Sequence, residues 1–509
     1  MILETYLDII NWWSVLFITG LITYPITWSL FRKLYDGGYG LTKTLGTLLL
    51  SYGIFLLAIL KISPFTLATG YGVLLVIGMV SLKLFITNRS NIIAFLKQKK
   101  GVIIFQEFLF LCGLLGWSYV RAHQPDIIGL EKFMDLGFIN SLLRSDWLPP
   151  TDMWFANEPI NYYWFGHFVT SVLTKISDLP SAITYNLMLA TILGLTLTSV
   201  FSLSSTLLSS IKKSIKTRSI IIGALLSAIL VSFAGNFHTP YYFVRQYVCT
   251  QNIVVCSPET KTGDYWYPDA TRFIGYDPDV NDKTIHEFPV YSFVVSDLHA
   301  HLINLPFVLL YISLLYRYVS ATSRKKSFSL LPLMGVIIGI FFMTNAWDTA
   351  NYLLLTGITL GIFMLHKSIV KDTFSLKVFF FSLKDIVIAL LVICSVAYLA
   401  VSPFLRHFFS IAQGIDFVKS NTPIWQLLVL WGLPVILSTV FGIVIYSRIT
   451  LKKLKSSELF VISLLAASFV LILIPEVIYV KDIYIASHHR ANTMFKLTYQ
   501  AFVLSYTVS

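Results

Sequence analysis

Long apolar runs recur along the whole chain, and they constrain its fold more than any other feature. A helix needs roughly 20 apolar residues to cross the hydrocarbon core of a bilayer. Only 13% of the residues are charged, whereas a soluble domain carries about 25%. The sequence therefore predicts an all-α, polytopic transmembrane bundle that forms a single integral membrane domain over residues 1–509. We expect about 13 spans, at residues 11–31, 44–60, 66–82, 101–121, 185–210, 219–237, 290–316, 328–346, 349–366, 385–404, 425–447 and 457–476, with a last span beginning near Phe495.

The basic residues predict how the bundle is oriented. With the N-terminus outside, six short loops on the inner side contain 24 of the 38 lysines and arginines, as the positive-inside rule expects. The net charge of +12 therefore indicates a lipid bilayer as partner, in a multi-pass protein of the cell membrane, and no nucleic acid. Two large loops, residues 122–184 and 238–289, are predicted on the non-cytoplasmic face, and the first is expected to contain interfacial helices.

The first large outside loop contains two acidic residues at helical spacing. Glu131 and Asp135 are four residues apart, so on a helix they share one face. Neighbouring carboxylates raise one another's pKa unless a cation lies between them, which suits a general base or a metal site. The alternative is an amphipathic helix that lies on the membrane with both carboxylates in water.

The same loop is rich in aromatic residues. Tyr162, Tyr163, Trp164 and, three residues further on, His167 are candidates for contact with a sugar or a lipid. Each of the aromatic residues could equally belong to the interfacial belt that membrane proteins place at headgroup level.

A second cluster lies where the second large loop enters a predicted span. Asp297 and His301 are four residues apart in the string SDLHAH, so on a regular helix they face the same side, whereas His299 faces away. Ionisable residues at a membrane boundary are costly and often functional. The pair could hold a metal ion or act as acid and base, or it could be a hydrogen-bonded structural pair.

A third cluster precedes the last apolar run. His489, Arg490 and Lys496 form a cationic patch on the side that is otherwise acidic, and Arg406 follows another span on the same side. Arginine and lysine are natural partners of a phosphate. The alternative is that these side chains snorkel to lipid headgroups.

The second large outside loop contains Cys249 and Cys256. They could form a disulfide in an oxidising compartment, and the sequence leaves that pairing open.

Five separate strings together resemble a known family. EKFMD, PPTDMWFANEPINYYWFGHF, FPVYSFVVSDLHAH, NAWD and HHRANTMFKLTYQ resemble the YYY membrane-protein family (DUF2298) from about residue 100 to the end. The family's tyrosine run here ends in Trp164, so a role that needs a third phenol is in doubt. The family in turn is similar to the GT-C membrane glycosyltransferases, which take sugars from polyprenyl-phosphate donors on the non-cytoplasmic side.

The resemblance implies a GT-C-like fold and a transferase that uses a polyprenyl-phosphate-linked sugar and an unidentified acceptor. It implies Asp135 as the catalytic residue with Glu131 as its partner. From the residues themselves we expect a phosphate site around the third cluster, and Asp297 with His301 to complete the site around a divalent cation, Mg²⁺ or Mn²⁺. The alternatives are a transporter or flippase for a lipid-linked or anionic solute, and a non-catalytic membrane scaffold.

Overall fold

The computed structural model of the protein consists of α-helices with one small antiparallel sheet. It describes residues 2–211, 215–251, 253, 264–321, 323–370, 376–450, 454–483 and 486–508. The helices are α1 Ile2–Phe31, α2 Thr42–Ile59, α3 Leu67–Ala122, α4 Lys132–Arg144, α5 Phe165–Ser177, α6 Ser181–Ile211, α7 Thr217–Phe233, α8 His238–Thr250, α9 Pro289–Val295, α10 Ala300–Ile303, α11 Leu305–Val319, α12 Arg324–Phe328, α13 Leu331–Val370, α14 Leu376–Leu405, α15 Ile424–Thr450, α16 Ser456–Leu473 and α17 Ala491–Thr507. The strands are β1 Ile415–Phe417 and β2 Ile478–Val480.

Within these described ranges, eight helices are long and apolar enough to cross a membrane, or nine if the bent pair α7 and α8 forms one span. The eight are α1, α2, α3, α6, α13, α14, α15 and α16. The prediction of a polytopic helical membrane protein is therefore confirmed, whereas the number of 13 spans is not. Part of the difference lies in α3 and α13, which contain 56 and 40 residues and each cover two of the predicted spans.

Both long helices contain a residue outside helical geometry. Asn88 interrupts α3 (φ −119°, ψ 16°) inside the basic stretch 83–100, which the sequence predicted as a loop and which is helical. Asn345 interrupts α13 (φ −156°, ψ 94°). There the helix folds back on itself: the Thr349 hydroxyl donates to the Ile338 carbonyl at 3.3 Å, although eleven residues of straight helix span about 16 Å. The two arms of α13 therefore contact each other next to this break.

The predicted span at 290–316 is not one helix, which corrects the sequence-based assignment. Three helices of 7, 4 and 15 residues, α9, α10 and α11, occupy it. Ser296 ends α9 in the left-handed region (φ 58°) and His299 is extended. The local sequence explains the break, because short polar side chains compete for backbone hydrogen bonds and Pro306 favours a new helix start. Asp297 and His301 therefore do not share a regular helical face.

The segment that the sequence predicted to lie on the membrane surface is instead buried inside the protein. Helix α5 is buried around nearly its whole circumference, whereas a helix lying on a membrane would expose one face. Its Phe165 packs edge-on against Phe55 of α2 with ring centroids 5.6 Å apart. Its hydroxyls can be buried because they bond to the helix itself, as when Ser171 donates to the His167 carbonyl at 2.9 Å.

Candidate active site

A cavity of about 340 Å³ is lined by residues from the two large loops predicted outside, 122–184 and 238–289, and from the stretches around Ile411 and Asp482. Its polar walls come from the start of α4, from the stretch before and within the broken span, and from α17. The charged and histidine residues among its lining are Glu131, Arg272, Glu287, Asp297, His299, His301, Asp482 and Lys496, and Tyr162 and Tyr163 lie beside them. The cavity thus contains members of all three clusters that the sequence singled out.

Glu131 and His299 are in direct contact at the mouth of this cavity. Glu131 precedes the first residue of α4, its side chain is 53% exposed, and its carboxylate contacts His299 Nδ1. The hydrogen bond from His299 lowers the pKa of Glu131, so this carboxylate stays ionised. The other ring nitrogen, His299 Nε2, lies 3.2 Å from the Tyr162 hydroxyl. The sequence had placed His299 away from the site because it assumed a regular helix.

Asp297 and Asp135 form a second pair, further inside the protein. Asp135 is fully buried, and its Oδ1 lies 2.8 Å from His167 Nε2. The Asp297 carboxyl lies within hydrogen-bonding reach of Asp135. Burial raises the pKa of Asp297 far above its usual range, and the neighbouring Asp135 carboxylate adds to this shift. Among the described residues no donor reaches Asp135 Oδ2 or Asp297 Oδ1, so a proton or a cation is needed between these groups.

His301 has other partners than the sequence predicted. Its Nε2 lies 3.0 Å from the Ser292 hydroxyl and 3.9 Å from Glu287. Its ring packs edge-on against Phe495 and Tyr499, with centroids 4.8 and 4.7 Å apart. His301 therefore lines the cavity but is separate from the Glu131, Asp297 and His299 group.

Lys496 projects from α17 and is buried, with only 4% of its surface exposed. In the part of the chain that the structure describes, no acceptor is within hydrogen-bonding distance of its Nζ. Burial lowers the pKa of Lys496, and the acidic groups of Glu131, Asp348, Glu287 and Asp297 oppose this shift by favouring the charged form. A buried ammonium without a hydrogen-bond partner is costly, and an anionic ligand in the cavity would remove that cost.

Arg490 lies in a different environment from Lys496. It is fully buried, and its guanidinium bonds to Asp282 (shortest distance 2.6 Å), Glu476 (2.9 Å), Thr422 (3.0 Å) and the Pro475 carbonyl (3.0 Å). These bonds occupy all five N–H donors of the side chain, so Arg490 has none left for a phosphate. It instead joins the three segments that contain Asp282, Thr422 and Glu476 to the start of α17.

The remaining residues of the predicted phosphate and substrate sites lie outside the cavity wall. His489 Nδ1 is 3.7 Å from Asp282. Arg406 is exposed after α14. Trp164 is 2% exposed and packs against Phe404, with ring centroids 5.4 Å apart. His167 is buried and contacts the Asp135 carboxylate.

Three charged residues of the cavity lining, Arg272, Glu287 and Asp482, were missed by sequence reasoning. Arg272 donates to Glu287 Oε1 at 2.9 Å, and both side chains are part of the lining. Glu287 directly precedes the string FPVYSFVVSD and could have been included with it, whereas Arg272 belongs to no motif. A further acid, Asp348 at the break in α13, accepts hydrogen bonds from Asn304 at 2.7 Å and Asn345 at 2.8 Å.

Cys256 lies outside the described residues, so its pairing with Cys249, which the sequence leaves open, is not tested.

The fold and the cavity define a polytopic helical membrane protein with a polar, charged chamber at one end of its bundle. The chain belongs to the family described as "Uncharacterized membrane protein (DUF2298)", whose model matches residues 49–460 and 442–505. This match confirms the family that the sequence motifs resemble. No curated protein and no solved structure matches the chain.

Proposed function

We propose that this protein is a GT-C-like membrane glycosyltransferase that transfers a sugar from a polyprenyl-phosphate donor at the non-cytoplasmic face of the cell membrane. The observation that carries the proposal is the buried Lys496 ammonium, which lacks a hydrogen-bond partner among the described residues and lies in one cavity with the carboxylates of Glu131 and Asp297. Transfer from a lipid phosphate needs both positive charge for the leaving phosphate and a base for the acceptor hydroxyl.

In the proposed step, the acceptor hydroxyl oxygen forms a bond to the anomeric carbon of the sugar. The bond from that carbon to the phosphate oxygen breaks, and its electron pair leaves with the polyprenyl phosphate, whose negative charge Lys496 stabilises. The hydroxyl proton passes to the ionised carboxylate of Glu131, which lines the cavity.

Asp135 has a less direct role in this proposal than the resemblance implies. It is fully buried and is not part of the cavity lining. We therefore propose that Asp135, held by His167, positions the Asp297 carboxyl and does not itself touch the acceptor. Tyr162 and Tyr163, whose rings are 4.3 Å apart at the cavity wall, would contact the sugar.

The test is release of polyprenyl phosphate by the purified protein from a panel of radiolabelled polyprenyl-phosphate hexoses, because every acceptor would yield this product. We expect Glu131→Gln to lower the rate by a factor of about 10², the lower end of what one positioned general base contributes. Glu158→Gln is the matched control, because Glu158 is an exposed acid of the same loop and its loss should leave the rate unchanged. Equal rates for the wild type and Glu131→Gln would remove Glu131 from the mechanism, and no release from any donor would contradict the proposed activity.

A transporter or flippase for a lipid-linked anion is the second candidate. The breaks at Asn345 and at 296–299, beside the buried Asp348 and Lys496, are features that transporters also use to bind solutes. Movement of a labelled polyprenyl phosphate across a proteoliposome bilayer, without any release from the sugar donors, would favour this candidate. A non-catalytic scaffold would have no need for Glu131, Asp297 and Lys496 to line one cavity, so their grouping does not favour this alternative.

A further inference from the structure

We propose that Glu131, Asp297 and His299 form a binding site for one divalent cation, with Mn²⁺ as the ion that fits best. The three residues come from two separate segments, the start of α4 and the break between α9 and α10. One ligand atom from each, two carboxylate oxygens and an imidazole nitrogen, can be chosen so that all three lie within 4.8 Å of one another. Ligands bonded at about 2.0–2.2 Å to one ion lie at most about 4.4 Å apart, so small shifts of these side chains would bring all three into one coordination sphere.

The hydrogen-bonding state of His299 favours a cation at this position. Its Nε2 faces the Tyr162 hydroxyl and its Nδ1 faces the Glu131 carboxylate. In this structure Nδ1–H donates to the ionised Glu131 carboxylate. When the ring carries its proton on Nε2 instead and donates it to Tyr162, the lone pair of Nδ1 becomes available as a metal ligand. A divalent cation that takes the place of the Nδ1 proton would then bind both Nδ1 and the Glu131 carboxylate. An outer partner that fixes the other ring nitrogen is a general feature of histidines that bind metals.

A second observation, which concerns the buried Asp135 behind Asp297, also supports a cation at this position. Asp135 is fully buried, and no donor among the described residues reaches its Oδ2, although its other oxygen bonds to His167. It lies next to Asp297. A divalent charge on Asp297 would balance this buried carboxylate, so the Asp135–His167 pair would act as an outer shell that orients Asp297.

The composition of the group indicates which ion would bind. Two carboxylates and one imidazole are a mixed oxygen and nitrogen set, which suits Mn²⁺ better than Mg²⁺, because Mg²⁺ prefers oxygen ligands alone. The remaining coordination positions would face the cavity that contains Lys496. The site would therefore present positive charge from two directions to an anionic group. The inference does not depend on the proposed transfer, since it requires no donor or acceptor.

His301 provides a matched control. It lies two residues from His299 and lines the same cavity, and the two rings are 5.1 Å apart. Its Nε2, however, is directed to Ser292 and Glu287, so it is not a member of the group. The sequence predicted Asp297 with His301 as ligands, whereas the structure assigns His299, and the two histidines can be tested separately.

The experiment is titration of the purified full-length protein with MnCl₂, without donor or acceptor, monitored by electron paramagnetic resonance of free Mn²⁺. We expect one saturable site in the wild type. His299→Gln and Asp297→Asn should each weaken it by more than 100-fold, Asp135→Asn by about 10–100-fold, and His301→Gln by less than 2-fold. Elution volume and melting temperature show whether each variant is folded.

A measurement on the wild type alone keeps the inference testable if the variants do not fold. Electron spin echo modulation of bound Mn²⁺ should show coupling to one imidazole nitrogen. The inference is overturned by absence of saturable binding, by binding without nitrogen coupling, or by His301→Gln removing the ion while His299→Gln retains it. Mn²⁺ binding without release of polyprenyl phosphate would contradict the proposed function and leave the metal site in place.

Discussion

Replacing Lys496 with methionine is expected to slow release of polyprenyl phosphate by a factor of about 10²–10³, the usual effect of removing one preorganised donor from a transition state. The same change should raise the melting temperature, because it removes a buried ammonium that has no hydrogen-bond partner among the described residues. Methionine retains most of the length and the flexibility of lysine, so the packing against Phe495 and its neighbours is largely kept. Opposite effects on activity and stability are typical of a residue retained for function.

Lys481→Met is the matched control for this change. Lys481 lies at the same end of the bundle, but it is 45% exposed and pairs with Asp416 at 3.0 Å. Its removal should alter neither the rate nor the melting temperature. If Lys496→Met lowered the melting temperature and left the rate unchanged, Lys496 would be a structural residue and the proposed phosphate site would lose its main support.

Arg490→Met is expected to destabilise the protein by about 3–5 kcal/mol, as measured when one partner of a buried ion pair is removed. The change leaves the carboxylates of Asp282 and Glu476, which are 11% and 9% exposed, without their cation. Arg490→Lys should rescue little of this loss, because a lysine cannot reproduce the planar set of five donors. The measurement is thermal unfolding in detergent, followed by circular dichroism.

A triple variant shows whether the stability is lost because the guanidinium contacts are missing or because of a general packing defect. Adding Asp282→Asn and Glu476→Gln to Arg490→Met removes the two unpaired charges and should recover part of the lost stability. If the single Arg490→Met variant unfolded at the wild-type temperature, the guanidinium contacts would not be what holds the segments around Asp282, Thr422 and Glu476 together.

The contrast between Arg490 and Lys496 shows what sequence alone could predict about the site. The sequence grouped Arg490 and Lys496 in one cationic patch because they lie close together in the chain, whereas the structure gives them different partners. Which cation is available depends on partners far away in the chain, because Arg490 meets Asp282 at a separation of 208 residues. No local pattern identifies such a contact.

The helix breaks show the same limit of prediction from sequence alone. Apolar runs predicted a bundle of membrane helices, because the length and the composition of a span are local properties, but they did not predict the number of spans that the described residues contain. The broken span at 290–316 and the fold-back at Asn345 depend on how polar side chains are satisfied in the interior. For this reason the sequence placed His301 beside Asp297, whereas the extended backbone at His299 brings that residue to Glu131 instead.

The measurement that tests the central claim most directly compares two ligands that differ only in a phosphate. Binding of a polyprenyl phosphate and of the corresponding polyprenol to the purified protein in nanodiscs can be measured by displacement of a labelled polyprenyl phosphate. We predict that the wild type binds the phosphate at least 10-fold more tightly than the alcohol, and that Lys496→Met abolishes this preference. Equal affinities of the wild type for the phosphate and the alcohol would contradict the assignment of the cavity as a site for lipid phosphate.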